Sequence, residues 1–136
     1  VAKEMTYQIS RVTDSTPYER LTALRKRFPS EALEICAEVL NTLSVGDTIF
    51  SAPPVEEERI ERALIVVEQE YGALPENTHV EVCKELVSKI TQEFLATLRI
   101  QYSKELKRSE EEGNEEEVGR LSALLNEITK RRHELG

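Results

Sequence analysis

Residues 110–118, with the sequence EEEGNEEEV, separate two apolar helical patterns near the end of the chain and decide the fold. Gly113 suits the left-handed position that follows a helix. Asn114 can cap the next helix, and Glu117 stands three residues later, where it would complete a capping box. The stretch therefore predicts a tight turn between two helices, which together extend over residues 78–135.

Both arms of this predicted hairpin carry apolar side chains at helical spacing. On the first arm they recur every three or four residues, at Cys83, Leu86, Val87, Ile90, Phe94, Leu98, Tyr102 and Leu106. The second arm has a heptad-like seam with one basic residue in it, made of Val118, Leu121, Leu125, Ile128, Arg132 and Leu135. We expect the arms to pack antiparallel, with Leu121, Leu125 and Ile128 between them.

Three shorter helices are predicted before the hairpin. The first begins with Thr16 as N-cap, Pro17 at the first helical position and Glu19 as the capping partner. Pro29 ends it and opens a second helix, which is expected to reach about Ser44.

The third helix is predicted after Pro54, where three consecutive glutamates favour the positive end of a helix dipole. In the loop before it, Ile49 and Phe50 are expected to fill the core from the side. Thr78 and Glu81 then have the spacing of a capping box at the start of the long helix.

These patterns predict an all-α fold, a helical bundle followed by a long C-terminal helical hairpin. With 136 residues and only five glycines and five prolines, the chain has the length of one ordinary domain and a helix-rich composition. We expect an extended N-terminal arm over residues 1–15, the bundle over 16–99 and the hairpin over 100–136.

The acidic charge is concentrated in the middle of the chain. The net charge is −8, and residues 30–82 contain twelve acidic and only two basic residues. Such a region repels a phosphate backbone, so direct binding of nucleic acid is not expected. Two interpretations of the acids stay open, a solvated set of helix faces or an acidic docking patch.

No residue pattern predicts catalysis, a cofactor or a metal site. Cys36 and Cys83 lie in apolar stripes without a CxxC motif, as expected of buried thiols in a reducing compartment. His79 and His133 are expected at the surface, and the glutamate runs lack the pattern of a calcium loop. No bilayer-spanning run or signal peptide is recognisable, which predicts a cytoplasmic protein without membrane contact.

The basic end of the last helix has two interpretations. Lys130, Arg131 and Arg132 complement the negative end of the helix dipole. Alternatively, Arg132 interrupts the seam in order to contact a partner, because arginine and large apolar side chains are frequent interface anchors. On the second interpretation the candidate partner-binding residues are Leu124, Arg131, Arg132 and Leu135.

The stretch 94–135 resembles the C-terminus of bacterial replicative primases, through the charged turn, Leu121, Leu124, Leu125 and the Arg131-Arg132 end. In that family a helical bundle ends in a two-helix hairpin, and both bind the hexameric replicative helicase. The resemblance implies a non-catalytic piece of a DNA primase that couples priming to unwinding during DNA replication. The zinc-ribbon cysteines and the acidic polymerase residues of that family are absent from this chain.

The alternative is a self-associating helical adaptor or coiled-coil protein with a structural role, in which the seam pairs with its own copy. A domain-swapped dimer also fits, because a long exposed helix can exchange at low cost.

Overall fold

The structure is a computed structural model that describes residues 15–135. Within them lie five α-helices: α1 (Pro17–Arg27), α2 (Glu31–Glu38), α3 (Glu57–Tyr71), α4 (Glu76–Glu112) and α5 (Glu115–Leu135). A 3₁₀ turn follows α2, and a small antiparallel hairpin then pairs β1 (Ser44–Val45) with β2 (Thr48–Ile49). The predicted all-α fold with long C-terminal helices is confirmed. Apart from Ser15, the arm expected at residues 1–15 lies outside the described residues.

The chain divides into two compact units. Unit 1 contains residues 15–41 and Ser51–Ile90, and unit 2 contains Thr42–Phe50 and residues 91–135. Helix α4 therefore contributes its first part to unit 1 and its second part to unit 2. The sequence placed this division near Ile100 and assigned the whole of residues 42–50 to the bundle, whereas the β-hairpin belongs with the C-terminal helices.

Helix α1 begins as the sequence predicts and packs on α3 within unit 1. The Thr16 hydroxyl accepts a hydrogen bond from the Glu19 amide at 3.1 Å, and the Glu19 carboxylate accepts one from the Thr16 amide at 2.9 Å. This reciprocal pair is a complete capping box. The apolar core of unit 1 includes the buried side chains Leu21, Ala23, Leu24, Leu33, Ala37, Leu40, Ala63, Val66, Val67, Cys83, Leu86 and Ile90.

Two predictions about residues 30–50 were wrong. Helix α2 ends at Glu38 and does not reach Ser44, because the chain tightens into a 3₁₀ turn and then reverses at Gly46, where φ is +59°. Ile49 is 67% exposed, and only Phe50 is half-buried, with its ring edge-to-face on Phe94 at 5.5 Å. Neighbouring residues of a strand point to opposite sides, so Ile49 and Phe50 do not both face inward.

The predicted start of the long helix was also wrong. Helix α4 begins at Glu76, and the Pro75 carbonyl accepts a hydrogen bond from the Thr78 amide at 3.0 Å. Thr78 therefore lies inside the first turn, and Glu81 forms an ion pair with Lys84. Proline before the first turn is favourable because its fixed φ suits a helix start and it lacks the amide hydrogen that would be unsatisfied there.

His79 is buried, contrary to the surface position expected from the sequence. Its ring stacks on Phe28 with 4.0 Å between centroids, and its Nε2 atom lies 2.7 Å from the carbonyl oxygen of Tyr71. His79 is therefore a structural residue of unit 1. His133 is exposed, as predicted.

Glu19 is the one buried acidic side chain in the part of the chain that the structure describes, with 4% of its surface exposed. The Arg59 guanidinium on α3 donates to both carboxylate oxygens, at 2.5 and 3.0 Å. These hydrogen bonds lower the pKa of Glu19, and they outweigh the burial that raises it. The pair connects α1 to α3.

Replacing Glu19 by Gln should lower the free energy of unfolding by about 1 kcal/mol at pH 7, because the charge is lost while an oxygen remains for the Thr16 amide. A lowered folded pKa stabilises the protein above the unfolded pKa, near 4.3, and that stabilisation disappears as the pH falls through the folded pKa. Urea unfolding followed by circular dichroism at pH 7 and pH 3 measures both effects.

The matched control is Glu34→Gln, since Glu34 pairs with Arg25 on the exposed surface. Its effect at pH 7 should stay below that of Glu19→Gln. The assignment would be contradicted if Glu19→Gln lowered the free energy of unfolding by the same amount at pH 7 and at pH 3.

Candidate partner-binding surface

The turn between α4 and α5 is closed by backbone hydrogen bonds. Gly113 has a φ of +72°, its amide bonds to the Glu110 carbonyl at 3.2 Å, and the Asn114 amide bonds to the Ser109 carbonyl at 3.0 Å. This is the Schellman arrangement that glycine allows at a helix C-terminus. The Asn114 side chain accepts from the Glu117 amide at 3.2 Å, as predicted.

The second half of the predicted capping box is replaced by an ion pair. The Glu117 carboxylate binds Arg120, one turn further along α5, and this contact lowers the pKa of Glu117. Asn114 therefore caps α5 alone.

Helices α4 and α5 enclose the core of unit 2. Its buried side chains are Leu95, Leu98 and Tyr102 from α4, Leu121, Leu124 and Ile128 from α5, and Val45 from β1. Phe94, Leu106 and Leu125 are partly buried and pack against this cluster. The predicted packing of Leu121, Leu125 and Ile128 against α4 is confirmed, whereas Leu95 and Leu124 were not predicted to be in the core.

The β-hairpin is held against the two helices at three points. The Thr48 hydroxyl lies 2.6 Å from the Tyr102 hydroxyl, and the backbone of Gly46 lies directly against the side chain of Leu124. The Arg131 guanidinium donates to the Ser44 carbonyl and also to Glu127 at 2.7 Å. Residues distant in sequence are therefore part of the surface that surrounds α5.

The four candidate partner-binding residues occupy different environments. Leu124 is 9% exposed and belongs to the core, and Arg131 is engaged by Ser44 and Glu127. Arg132 is partly exposed, and Leu135 is 36% exposed at the end of α5. The structure thus explains Leu124 and Arg131 by contacts inside unit 2, and it leaves Arg132 and Leu135 accessible.

Arg132 lines an open groove of about 470 Å³, which we call the lateral groove. Its other lining residues all come from α4: Ala96, Arg99, Ile100, Ser103 and Lys104. Sequence reasoning missed these five, although their spacing of three and four residues places them on one helix face. The signal was weak because that face contains a single large apolar residue, Ile100.

The ionisable clusters noted in the sequence do not converge on a metal site. Within residues 15–135, no group of three or more His, Cys, Asp or Glu side chains is arranged to hold an ion. Cys83 is buried and Cys36 is half-buried. Burial, together with the neighbouring Cys36 thiol, raises the pKa of Cys83 to about 12, so Cys83 is a poor nucleophile near neutral pH.

Comparisons with protein-family models, with curated proteins and with solved structures found no match to this chain. Among the described helices, none combines the length and the apolar character that a bilayer crossing requires.

Gly46→Ala should destabilise unit 2 by about 2 kcal/mol, because alanine is strained at a positive φ and its Cβ needs the space of a buried leucine. The added Cβ would stand 2.7 Å from Cδ2 of Leu124. Urea unfolding followed by circular dichroism gives the free-energy change.

Gly113→Ala is the matched control, because Gly113 also has a positive φ but has open space around its Cβ position. It isolates the backbone strain, so the excess loss in Gly46→Ala reports the contact with Leu124. If both variants lost the same free energy of unfolding, the β-hairpin would not pack on Leu124.

Proposed function

We propose that this chain is a non-catalytic protein-interaction domain, the C-terminal part of a bacterial DNA primase, that binds the replicative helicase in the cytoplasm. It would couple priming to unwinding, and nucleotidyl transfer would belong to other parts of the primase. The observation that supports this proposal is the C-terminal helical hairpin of α4 and α5, whose turn is closed by Gly113 and Asn114. Such a hairpin agrees with the family to which the sequence bears a resemblance.

The helical hairpin of α4 and α5 is preorganised for docking. Its inner faces are filled by its own core, and the β-hairpin covers part of α5 through Ser44 and Gly46. A surface that is already ordered loses little conformational entropy when it binds. The contact with a partner would therefore use the outer side chains of α4 and α5, including Arg132 and Leu135.

The packing of the seam bears on the alternative, a self-associating adaptor. Leu121 and Ile128 are fully buried within unit 2, so pairing of this seam with a second copy requires α5 to leave α4. That separation would expose both side chains together with Val45, at about 1.5–3 kcal/mol for each fully buried residue. We therefore expect a monomer at micromolar concentration in sedimentation velocity, and a stable dimer would favour the adaptor.

The double variant Arg132→Ala/Leu135→Ala should weaken helicase binding at least about fivefold, the equivalent of about 1 kcal/mol, if these side chains are interface anchors. Binding of the full chain to the helicase of the same organism can be measured by isothermal titration calorimetry. Both side chains reach solvent, so the fold should be retained, which circular dichroism checks.

Lys130→Ala is the matched control, since Lys130 is an exposed cation on the same turn of α5 and does not line the lateral groove. It should change the affinity less than about twofold. Removal of α5 is a poorer test because it also removes Leu121 and Ile128 from the core. A helicase that does not bind the unchanged chain would refute the proposed function.

A further inference from the structure

The lateral groove is lined by both helices of unit 2. Helix α4 contributes one face with residues three or four positions apart, and α5 contributes Arg132. The small side chains of Ala96 and Ser103 leave room beside Ile100, which is 59% exposed. An incoming side chain can therefore reach an apolar floor between positively charged residues.

The positive charges of the groove have no acidic partner within residues 15–135. Seven arginines of that part of the chain form ion pairs with glutamates: Arg25, Arg27, Arg59, Arg62, Arg108, Arg120 and Arg131. Arg20 is engaged by other contacts. The two that remain, Arg99 and Arg132, both line the lateral groove, and Lys104 stands beside them without a carboxylate at ion-pair distance.

The groove brings three unpaired cations together in a chain with a net charge of −8, while the other cations of residues 15–135 without an ion pair, Lys26, Lys89, Lys107 and Lys130, lie outside it. Acidic side chains are abundant, yet none of the groove-lining residues is acidic. The local charge therefore complements an acidic ligand, and the exposed Ile100 complements an apolar one. A phosphate backbone satisfies only the first requirement, because it offers no apolar side chain to cover Ile100.

We propose that the lateral groove is the docking site for an acidic amphipathic helix of a partner protein. Carboxylates of that helix bind Arg99, Lys104 and Arg132, and one of its large apolar side chains covers Ile100. Recognition of an amphipathic helix in a groove between helices is a recurring mode of protein binding. This inference rests on one part of the proposed function, that a partner protein docks on unit 2. It adds that the docking surface of the partner is acidic and amphipathic.

The probe is a synthetic 18-residue helical peptide with glutamates flanking a leucine on one face, titrated into the full chain labelled with nitrogen-15. Amide shifts should concentrate in residues 96–104 and around Arg132. A peptide with the glutamates replaced by glutamine should bind at least tenfold more weakly. Raising the salt concentration from 50 to 500 mM should lower the affinity for the acidic peptide severalfold, because exposed ion pairs are screened.

The variant Arg99→Glu/Arg132→Glu should lose binding of the acidic peptide by at least tenfold. Its matched control is Lys107→Glu/Lys130→Glu, which makes the same change in net charge at exposed positions outside the groove. The control variant should lose less than threefold in affinity for the acidic peptide. Equal losses in both variants, or shifts that map elsewhere at millimolar peptide, would overturn the proposal.

A single-stranded oligonucleotide of ten thymidines, titrated in parallel, tests the competing ligand class. Tighter binding of the oligonucleotide than of the acidic peptide at the same amides would assign the groove to phosphate and overturn the proposal. The helicase measurement separates this inference from the proposed function. If Arg99→Glu/Arg132→Glu leaves helicase binding unchanged, the proposed function is kept, but the groove and the role of Arg132 as a helicase anchor are both lost. If the acidic peptide binds and the helicase does not, the groove is kept and the proposed function is lost.

Discussion

Burial of the apolar face of α4 at Leu95, Leu98 and Tyr102 is the interaction on which unit 2 depends. Helix α5 can cover this face only because Gly113 reverses the chain within one turn, and β1 adds Val45 to the same cluster. Each fully buried leucine contributes about 1.5–3 kcal/mol. The position of every outer side chain on the hairpin follows from this packing, and so does the geometry of the lateral groove.

The turn and the helix starts could be predicted from the sequence where their chemistry is local. Gly113 and Asn114 act on backbone groups within five residues, and Thr16 acts with Glu19, so short motifs contain the information. The start of α4 was misassigned because Thr78 also fits a cap, although Pro75 already provides a helix start. Local signals decide an element's existence more reliably than its first residue.

Contacts between distant residues could not be predicted in the same way. Leu124 lies at the edge of the α5 face that carries Leu121 and Ile128, and the contact that Gly46 makes with it comes from a residue 78 positions earlier in the chain. His79 and Glu19 are buried by Phe28 and Arg59, respectively, which stand far away in the sequence. Gly46-Asp47 between β-branched residues was a readable hairpin signal, but nothing in it reveals which helices the hairpin contacts.

The candidate site was predicted in part. Arg132 was singled out as a candidate because a cation in an apolar seam departs from the regular heptad pattern. The α4 side of the groove was missed because Arg99 and Lys104 on a helix face are also typical of a solvated surface. Their significance depends on ion pairing in three dimensions, where most of the other described arginines have a glutamate and these groove residues have none.

The β-hairpin belongs to unit 2 although unit 1 continues after it, so neither unit is a continuous stretch of chain. Val45 is synthesised well before Ile128, a residue of the same buried cluster. The β-hairpin therefore cannot complete its packing until most of the chain has been made. A fragment cut at Thr91 to isolate the hairpin helices would lack Val45 and Gly46, and it would expose Leu124 as an apolar surface that the whole chain does not present.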